Sequence, residues 1–269
     1  MRTALSIAGS DPTGGAGLQL DLQVFRALGV HGAGVVTALT VQDTARVHRV
    51  LPAFPNVVLE QLRTLLRDLR PDAVKLGMLA TDDVARSVEL GLAELFAPPP
   101  DDARPAPPLV VDPVLAASDG TPLLERRARG TLVRILAHAT LVTPNLPEAA
   151  ALTELDVSSE AGAAAAGRRL VEETGVAAAL VKGGHREGPP HDLFVTRDGV
   201  GLHVERLEGE RIGGGRVHGT GCALASAIAA GLAQGRSLRD AVLAARAFLR
   251  EAIRRAEAPG RGARLLVFP

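Results

Sequence analysis

A single cysteine, Cys222, stands in 269 residues, so no intrachain disulfide can form and a reducing cytoplasm is the expected home. No apolar run reaches the roughly 18 residues that a membrane span needs. The opening stretch, MRTALSIAGSDPTGGAG, turns Gly-rich before a hydrophobic segment of signal-peptide length builds up, so no secretory signal is expected. Neither sign of charge is in surplus: 30 basic residues meet 30 acidic ones, at a pI near 7.1. That balance removes the usual electrostatic argument for a nucleic acid or an anionic membrane as partner. It leaves room for a local basic pocket that takes a phosphorylated ligand. Lysine and asparagine are scarce: only Lys75 and Lys182 among the basic residues, and only Asn56 and Asn145. Where any cation serves, this chain uses Arg, so a Lys is informative where it does occur. Lys182, Asn145 and Cys222 all fall in Gly- or Pro-punctuated stretches that look like site loops.

What is abundant is apolar sequence, 46% of the chain, enough for a sizeable core. Strands are expected over Ala4–Ala8, Gly34–Val41, Ala73–Leu76, Leu109–Val111, Thr140–Thr143 and Ala178–Lys182. Helices are expected over Leu18–Leu28, Val57–Leu69, Asp83–Phe96, Leu124–Ala137, Glu160–Thr174, Cys222–Gln234 and Leu238–Glu257. This alternation predicts an α/β fold with a mainly parallel sheet and helices on both faces. Asp192–Val195 and Leu202–Arg206, either side of Arg197-Asp198-Gly199, read as an antiparallel hairpin. The Pro-rich stretch Pro98–Pro108 is expected to be an extended, exposed connector. Because the alternation continues beyond it, residues 1–269 read as one domain.

The motif richest in chemistry is His218–Leu232, HGTGCALASAIAAGL, a small-residue loop running into an Ala-rich helix. Free N–H groups and the positive end of the helix dipole make such a mouth an anion site, able to stabilise charge on a moving phosphoryl group. Gly219, Thr220 and Gly221 alone fit an ordinary capped helix equally well, with Thr220 as its cap. Cys222 at the first turn is either a small buried hydrophobe or a thiol whose thiolate the dipole favours, fit to act as base or nucleophile. A second Gly-rich loop, Gly9–Gly17, follows the first strand and matches neither a dinucleotide fingerprint nor a Walker A loop. Asp21 on the next helix is a candidate to hold a polar substrate, or a solvated carboxylate. Asn145 and Glu148, three apart at a helix start, suit a cap and also a site for Mg²⁺ and phosphate-bound water. Lys182 ends a hydrophobic strand, which is odd unless its ammonium meets an anion. Asp112 at another strand end is a candidate for nucleotide or metal. His185 and His218 fit structural roles at least as well as functional ones. A helix mouth, a Lys and an Asn/Glu pair in one crevice are the parts that phosphoryl transfer needs.

These stretches together, in order and nearly end to end, resemble the ribokinase superfamily, and within it the hydroxymethylpyrimidine/phosphomethylpyrimidine kinases of thiamine biosynthesis. The resemblance rests on IAGSDPTGGAGLQLDL from Ile7, VTALTVQD from Val36, KLGML from Lys75, VVDPVLAASDGTPLL from Val110, TPNLPEA from Thr143, VKGGH from Val181 and HGTGC from His218. It implies a ribokinase-like, Rossmann-like fold, ATP and Mg²⁺ as cofactors, a homodimer, and phosphorylation of the pyrimidine's hydroxymethyl group and then of its monophosphate. Gly9, Asp21 and Gln42 match positions that hold the pyrimidine, with Met78 beside them. Asn145 and Glu148 match the metal and phosphate motif, Lys182 the Lys that neutralises developing charge, and Gly219–Gly221 the anion hole. Cys222 stands where most sugar kinases of the superfamily carry a catalytic Asp, as it does in the pyrimidine kinases and a related group of pyridoxal kinases. The chain departs from the family pattern at Asp43, at Ser118-Asp119-Gly120 and at Gly213–Val217. A pyridoxal kinase and a pyrimidine sensor without turnover are therefore the rival readings.

Overall fold

Runs such as ALSIA and LVV are apolar at nearly every position, which suits strands covered on both faces. The computed structural model describes residues 1–97, 104–184 and 190–268. Their strands are β1 (Thr3–Ser10), β2 (His31–Gln42), β3 (Val47–Pro52), β4 (Ala73–Leu76), β5 (Leu109–Val111), β6 (Leu141–Val142), β7 (Ala178–Val181), β8 (His191–Arg197) and β9 (Leu202–Glu208). They form one sheet in the order β3-β2-β1-β4-β5-β6-β7-β8-β9. The pairs from β2 through β1 and β4 to β7 are parallel, whereas β3, β8 and β9 join antiparallel at the two edges. The helices are α1 (Gly17–Ala27), α2 (Pro55–Asp68), α3 (Asp82–Phe96), α4 (Arg129–Leu136), α5 (Leu146–Thr153), α6 (Glu160–Thr174), α7 (Thr220–Ala233) and α8 (Leu238–Arg254).

Side chains alternate across each strand and so feed two cores. Leu5 and Ile7 of β1 pack with Val58, Leu62, Val88, Leu132 and Leu170, from α2, α3, α4 and α6. Ala4, on the other face, packs with Leu20, Val24, Ile228 and Val242, from α1, α7 and α8. α7 is buried almost all round, and its Ala and Gly residues permit close approach. A Cβ at Gly231 would lie 3.0 Å from that of Ala241 in α8. Lys75 of β4 points to this second face and is fully buried.

The parallel sheet with helices on both faces agrees with the expectation, and so does the β8–β9 hairpin. Three local differences have plain causes. β3 was not anticipated, because VHRVLP is half exposed and pairs only along one edge. α5 was anticipated only as a helix start, since it runs just eight residues. The expected helix from Leu124 begins as a 3₁₀ turn at Arg126–Ala128 before α4. Of the Pro-rich connector, residues 98–103 lie outside the described residues, Arg104–Ala106 are exposed, and Pro107 is already buried.

Candidate active site

In an open parallel sheet, ligands bind beyond the carboxyl ends of the strands, where the order of strands reverses. Here β1 lies between β2 and β4, and the sequence-predicted residues sit at those ends. Gly9 closes β1, Gln42 closes β2, and Met78 follows β4. Asp112 follows β5, and Asn145 and Lys182, beyond β6 and β7, pair as a single parallel bridge. The register of the parallel pairs thus gathers residues up to 173 positions apart in sequence into one crevice.

The mouth of α7 forms one wall. Gly219 is the N-cap at φ +76, a left-handed conformation that favours glycine, and no side chain caps the helix. Thr220 is therefore the first helical residue, a correction to its expected role as cap. A Cβ at Gly219 would run into the carbonyl oxygen of Gly15, so the two Gly-rich loops pack backbone against backbone. Gly219→Ala is expected to cost at least about 1–2 kcal/mol from the backbone conformation alone, read as a lowered thermal midpoint together with lost turnover.

Facing that mouth is a charged cluster. A Cβ at Gly221 would lie 3.1 Å from Lys182 Nζ and 3.4 Å from Asp112 Oδ2. Lys182 Nζ donates to Asp112 Oδ1 at 2.9 Å, and Thr143 Oγ1 donates to the same oxygen at 3.3 Å. Burial works to lower Lys182, but the carboxylates of Asp112 and Glu148 outweigh it and hold the ammonium above its ordinary range. Asn145 and Glu148 form a capping box on α5: the Asn145 N–H donates to Glu148 Oε2 and the Glu148 N–H to Asn145 Oδ1, both at 2.8 Å. Burial pushes the Glu148 carboxyl up to about 7; Lys182 opposes this and Asp112 adds to it.

Toward β2 the crevice opens into a cleft of about 570 Å³ lined by Thr13, Gln42, Asp43, Thr44, Arg261 and Leu265, among others. At the end of β1, a Cβ at Gly9 would come within 2.9 Å of Met78 Sδ, so a side chain there would displace the end of Met78. Met78 is nearly buried beside Ala38 and Ala80. Gln42 Nε2 lies 2.9 Å from His218 Nε2 and 3.3 Å from Asp11 Oδ2, and His218 Nε2 lies 2.9 Å from that same oxygen. Burial tends to raise Asp11, yet the hydrogen bonds from His218 and Thr13 hold its carboxyl below the usual range. Sequence reasoning missed Asp11 and the C-terminal lining at residues 259–265. His218, expected to be structural at least as readily as functional, stands beside Gln42 and Asp11, and His185 lies outside the described residues.

Two expectations require correction. Asp21 does not face a ligand: it is fully buried, with Oδ2 accepting from Ser6 Oγ at 2.6 Å and Lys75 Nζ at 2.7 Å, and Oδ1 from Ser226 Oγ at 2.7 Å. Removing one partner of such a buried pair typically costs about 3–5 kcal/mol. Cys222 is half-buried at the first turn of α7, but the helix dipole does not make it a thiolate. Burial pushes the thiol up to about 11, with Asp112 and Asp21 adding to the rise; Lys75 and a hydrogen bond from the Gly17 N–H counter it. At neutral pH the resting group is a thiol.

A helix mouth that no side chain caps, a cation and carboxylates facing it, and an adjoining cleft, all on a ribokinase-like sheet, define a small-molecule phosphotransferase. The family model for phosphomethylpyrimidine kinase matches residues 11–266. The chain belongs to that family. It is 42% identical over 256 residues to a hydroxymethylpyrimidine/phosphomethylpyrimidine kinase of Rhizobium meliloti, covering 94% of this chain and 91% of that one. A crystal structure of phosphomethylpyrimidine kinase from Clostridium difficile is similar at a TM-score of 0.80 and 31% identity, over 94% of this chain and all of that one. Pyridoxal kinase from Staphylococcus aureus in complex with ADP is similar at 0.85 and 30%, over 100% and 93%. Among the described residues no helix is long and apolar enough to cross a membrane.

Proposed function

We propose that this kinase transfers the γ-phosphoryl group of ATP to the hydroxymethyl group of 4-amino-5-hydroxymethyl-2-methylpyrimidine, and then phosphorylates the monophosphate, in thiamine biosynthesis. The observation that carries this reading is the Lys182–Asp112 pair set against Gly221 at the open mouth of α7. The γ-phosphate lies over Gly219, Thr220 and Gly221, and Lys182 offsets the charge that develops on it. Gln42, Gly9 and Met78 hold the ring, with the amide of Gln42 donating to Asp11. The hydroxyl oxygen bonds to the γ-phosphorus as the bond to the bridging oxygen of ADP breaks. The hydroxyl proton passes to Cys222 as thiolate, which becomes thiol.

Asp112 and Glu148 fit Mg²⁺. They are oxygen donors near enough for Asp112 to raise Glu148. Mg²⁺ characteristically takes one or two carboxylates and completes its shell with water and substrate phosphates. Bound there with ATP, it neutralises phosphate charge.

The exposed apolar side chains of Leu39, Val41, Leu51 and Phe54 on β2, β3 and the turn after them support a homodimer. A lone thiol suits a reducing cytoplasm. Phosphorylation of pyridoxal is a second reading, favoured by the likeness to the pyridoxal kinase structure. ATP consumption measured over hydroxymethylpyrimidine, its monophosphate and pyridoxal separates the readings. Turnover of both pyrimidines well above that of pyridoxal is expected. Preference for pyridoxal overturns the substrate assignment, and tight pyrimidine binding without ATP turnover would make the protein a sensor.

A further inference from the structure

The mechanism leaves one buried cation unused. Lys75 is fully buried in β4, on the face of the sheet that α7 covers. Its Nζ donates to Asp21 Oδ2 at 2.7 Å. A Cβ at Gly77 would lie 2.8 Å from that nitrogen, so the glycine leaves the space that the ammonium fills. A buried ammonium is costly, and in a chain where 28 of the 30 basic residues are Arg, a lysine here calls for a reason.

The reason lies in how α1 meets α7. On α1, Gly17 and Asp21 are four residues apart and share one face; on α7, Cys222 and Ser226 do the same. Asp21 Oδ1 accepts from Ser226 Oγ at 2.7 Å, and Cys222 lies one turn before Ser226 on the same face of α7. Asp21 also reaches β1 through Ser6 and β4 through Lys75. The thiol therefore sits one helical turn above the carboxylate that holds Lys75. The charged groups acting on it are Lys75 from β4, Asp21 from α1, Asp112 from beyond β5 and Lys182 from beyond β7.

We infer that Lys75 is a positioning residue for phosphoryl transfer: fixed by Asp21, its ammonium places a permanent positive charge behind Cys222, on the interior side of the site. Lys182 faces the transferring phosphate; Lys75 serves the thiol. It favours the thiolate at the moment the substrate hydroxyl gives up its proton, without contacting substrate. Asp21 keeps that ammonium charged in a place where burial alone would neutralise it. This role rests on the reading of Cys222 as proton acceptor given above.

Because Cys222 is the sole cysteine, its alkylation by iodoacetamide reports on this one sulfur. Lys75→Met is expected to slow alkylation at pH 8.5 by about ten-fold or more, with kcat falling in parallel and the KM for the pyrimidine little changed. If Lys75→Met fails to fold, as judged by circular dichroism and melting, Lys75→Gln, which keeps a hydrogen-bonding partner for Asp21 without the charge, carries the test with the same expected slowing. In either variant the pH profile of alkylation should move to higher pH, a shift that lost packing alone does not produce. An unchanged alkylation rate and pH profile in a folded variant overturns the inference and leaves the phosphotransfer reading intact as long as Cys222→Ala is inactive. Slowed alkylation with undiminished turnover overturns both this role and the assignment of Cys222 as proton acceptor.

Discussion

Lys182→Ala should lower kcat with hydroxymethylpyrimidine by about 10²–10³-fold, the usual loss when one preorganised charge-stabilising group is removed. The KM for the pyrimidine should stay within a few-fold of the original value, because the ring is held at the β2 side of the crevice by Gln42, Gly9 and Met78. The size of the effect follows from position. The ammonium is 15% exposed, 2.9 Å from Asp112, and borders the space a Cβ of Gly221 would take. Little water screens it there, so its charge acts at close to full strength on anything at the helix mouth. Its loss also leaves Asp112 and Glu148 facing each other. Glu148, already pushed up to about 7, should then hold its proton to higher pH and become a poorer partner for a cation. Steady-state kinetics with a melting curve on the same preparation checks this. A folded Lys182→Ala protein with kcat within three-fold of the parent would remove the phosphate-facing role. Lys182→Arg is a sharper control, since a planar fork does not replace a compact point charge. It should recover only part of the loss.

Much of this arrangement could be read from residues before any coordinates. The β1, β5 and β7 segments are apolar at nearly every position, and that pattern alone sets them inside a parallel sheet. Asn145 and Glu148, spaced three apart before a helix, announced the cap that the structure contains. Lys182 at the end of a buried strand announced an ion pair, though not which acid. What stayed hidden depends on contacts across the sheet. Asp21 looks like a helix-surface carboxylate in sequence, because nothing local marks its face as the one that meets Ser6, Lys75 and Ser226, up to 205 residues away. The rarity of Lys75 was visible, but its purpose was not, since its partner lies 54 positions away on another element. Cys222 shows the limit from the other side. Its place at a helix N-terminus was legible and argued for a thiolate. The helix dipole acts on the sulfur, but desolvation by the surrounding core is the larger influence, and burial is not a local property of sequence.

That reversal makes the behaviour of Cys222 with pH the most informative result to obtain. Cys222→Ala should lower kcat by about 10²–10⁴-fold, the typical contribution of a positioned proton acceptor, without unfolding the chain, since the side chain lost is small and half-buried. The sign of the pH effect follows from the raised thiol. With its midpoint at about 11, the thiolate makes up about one part in 10⁴ at pH 7 and grows about ten-fold for each step of pH until that midpoint. If the thiolate takes the hydroxyl proton, kcat of the parent enzyme should climb through pH 7–10 while chemistry limits turnover. Cys222→Ala should lie low and flat across the same range. Cys222→Ser should resemble Cys222→Ala, because an alcohol keeps the shape but does not ionise in that window. A parent profile without an alkaline limb, paired with a Cys222→Ser enzyme of near-parental kcat, would leave the sulfur with packing alone. Substrate and ATP then become the decisive addition. Phosphate binding at Gly219–Gly221 brings negative charge beside the thiol and should disfavour the thiolate. A metal ion held by Asp112 and Glu148 would offset part of that charge. Alkylation of Cys222 should therefore be slowed by ATP alone and slowed less by ATP plus Mg²⁺.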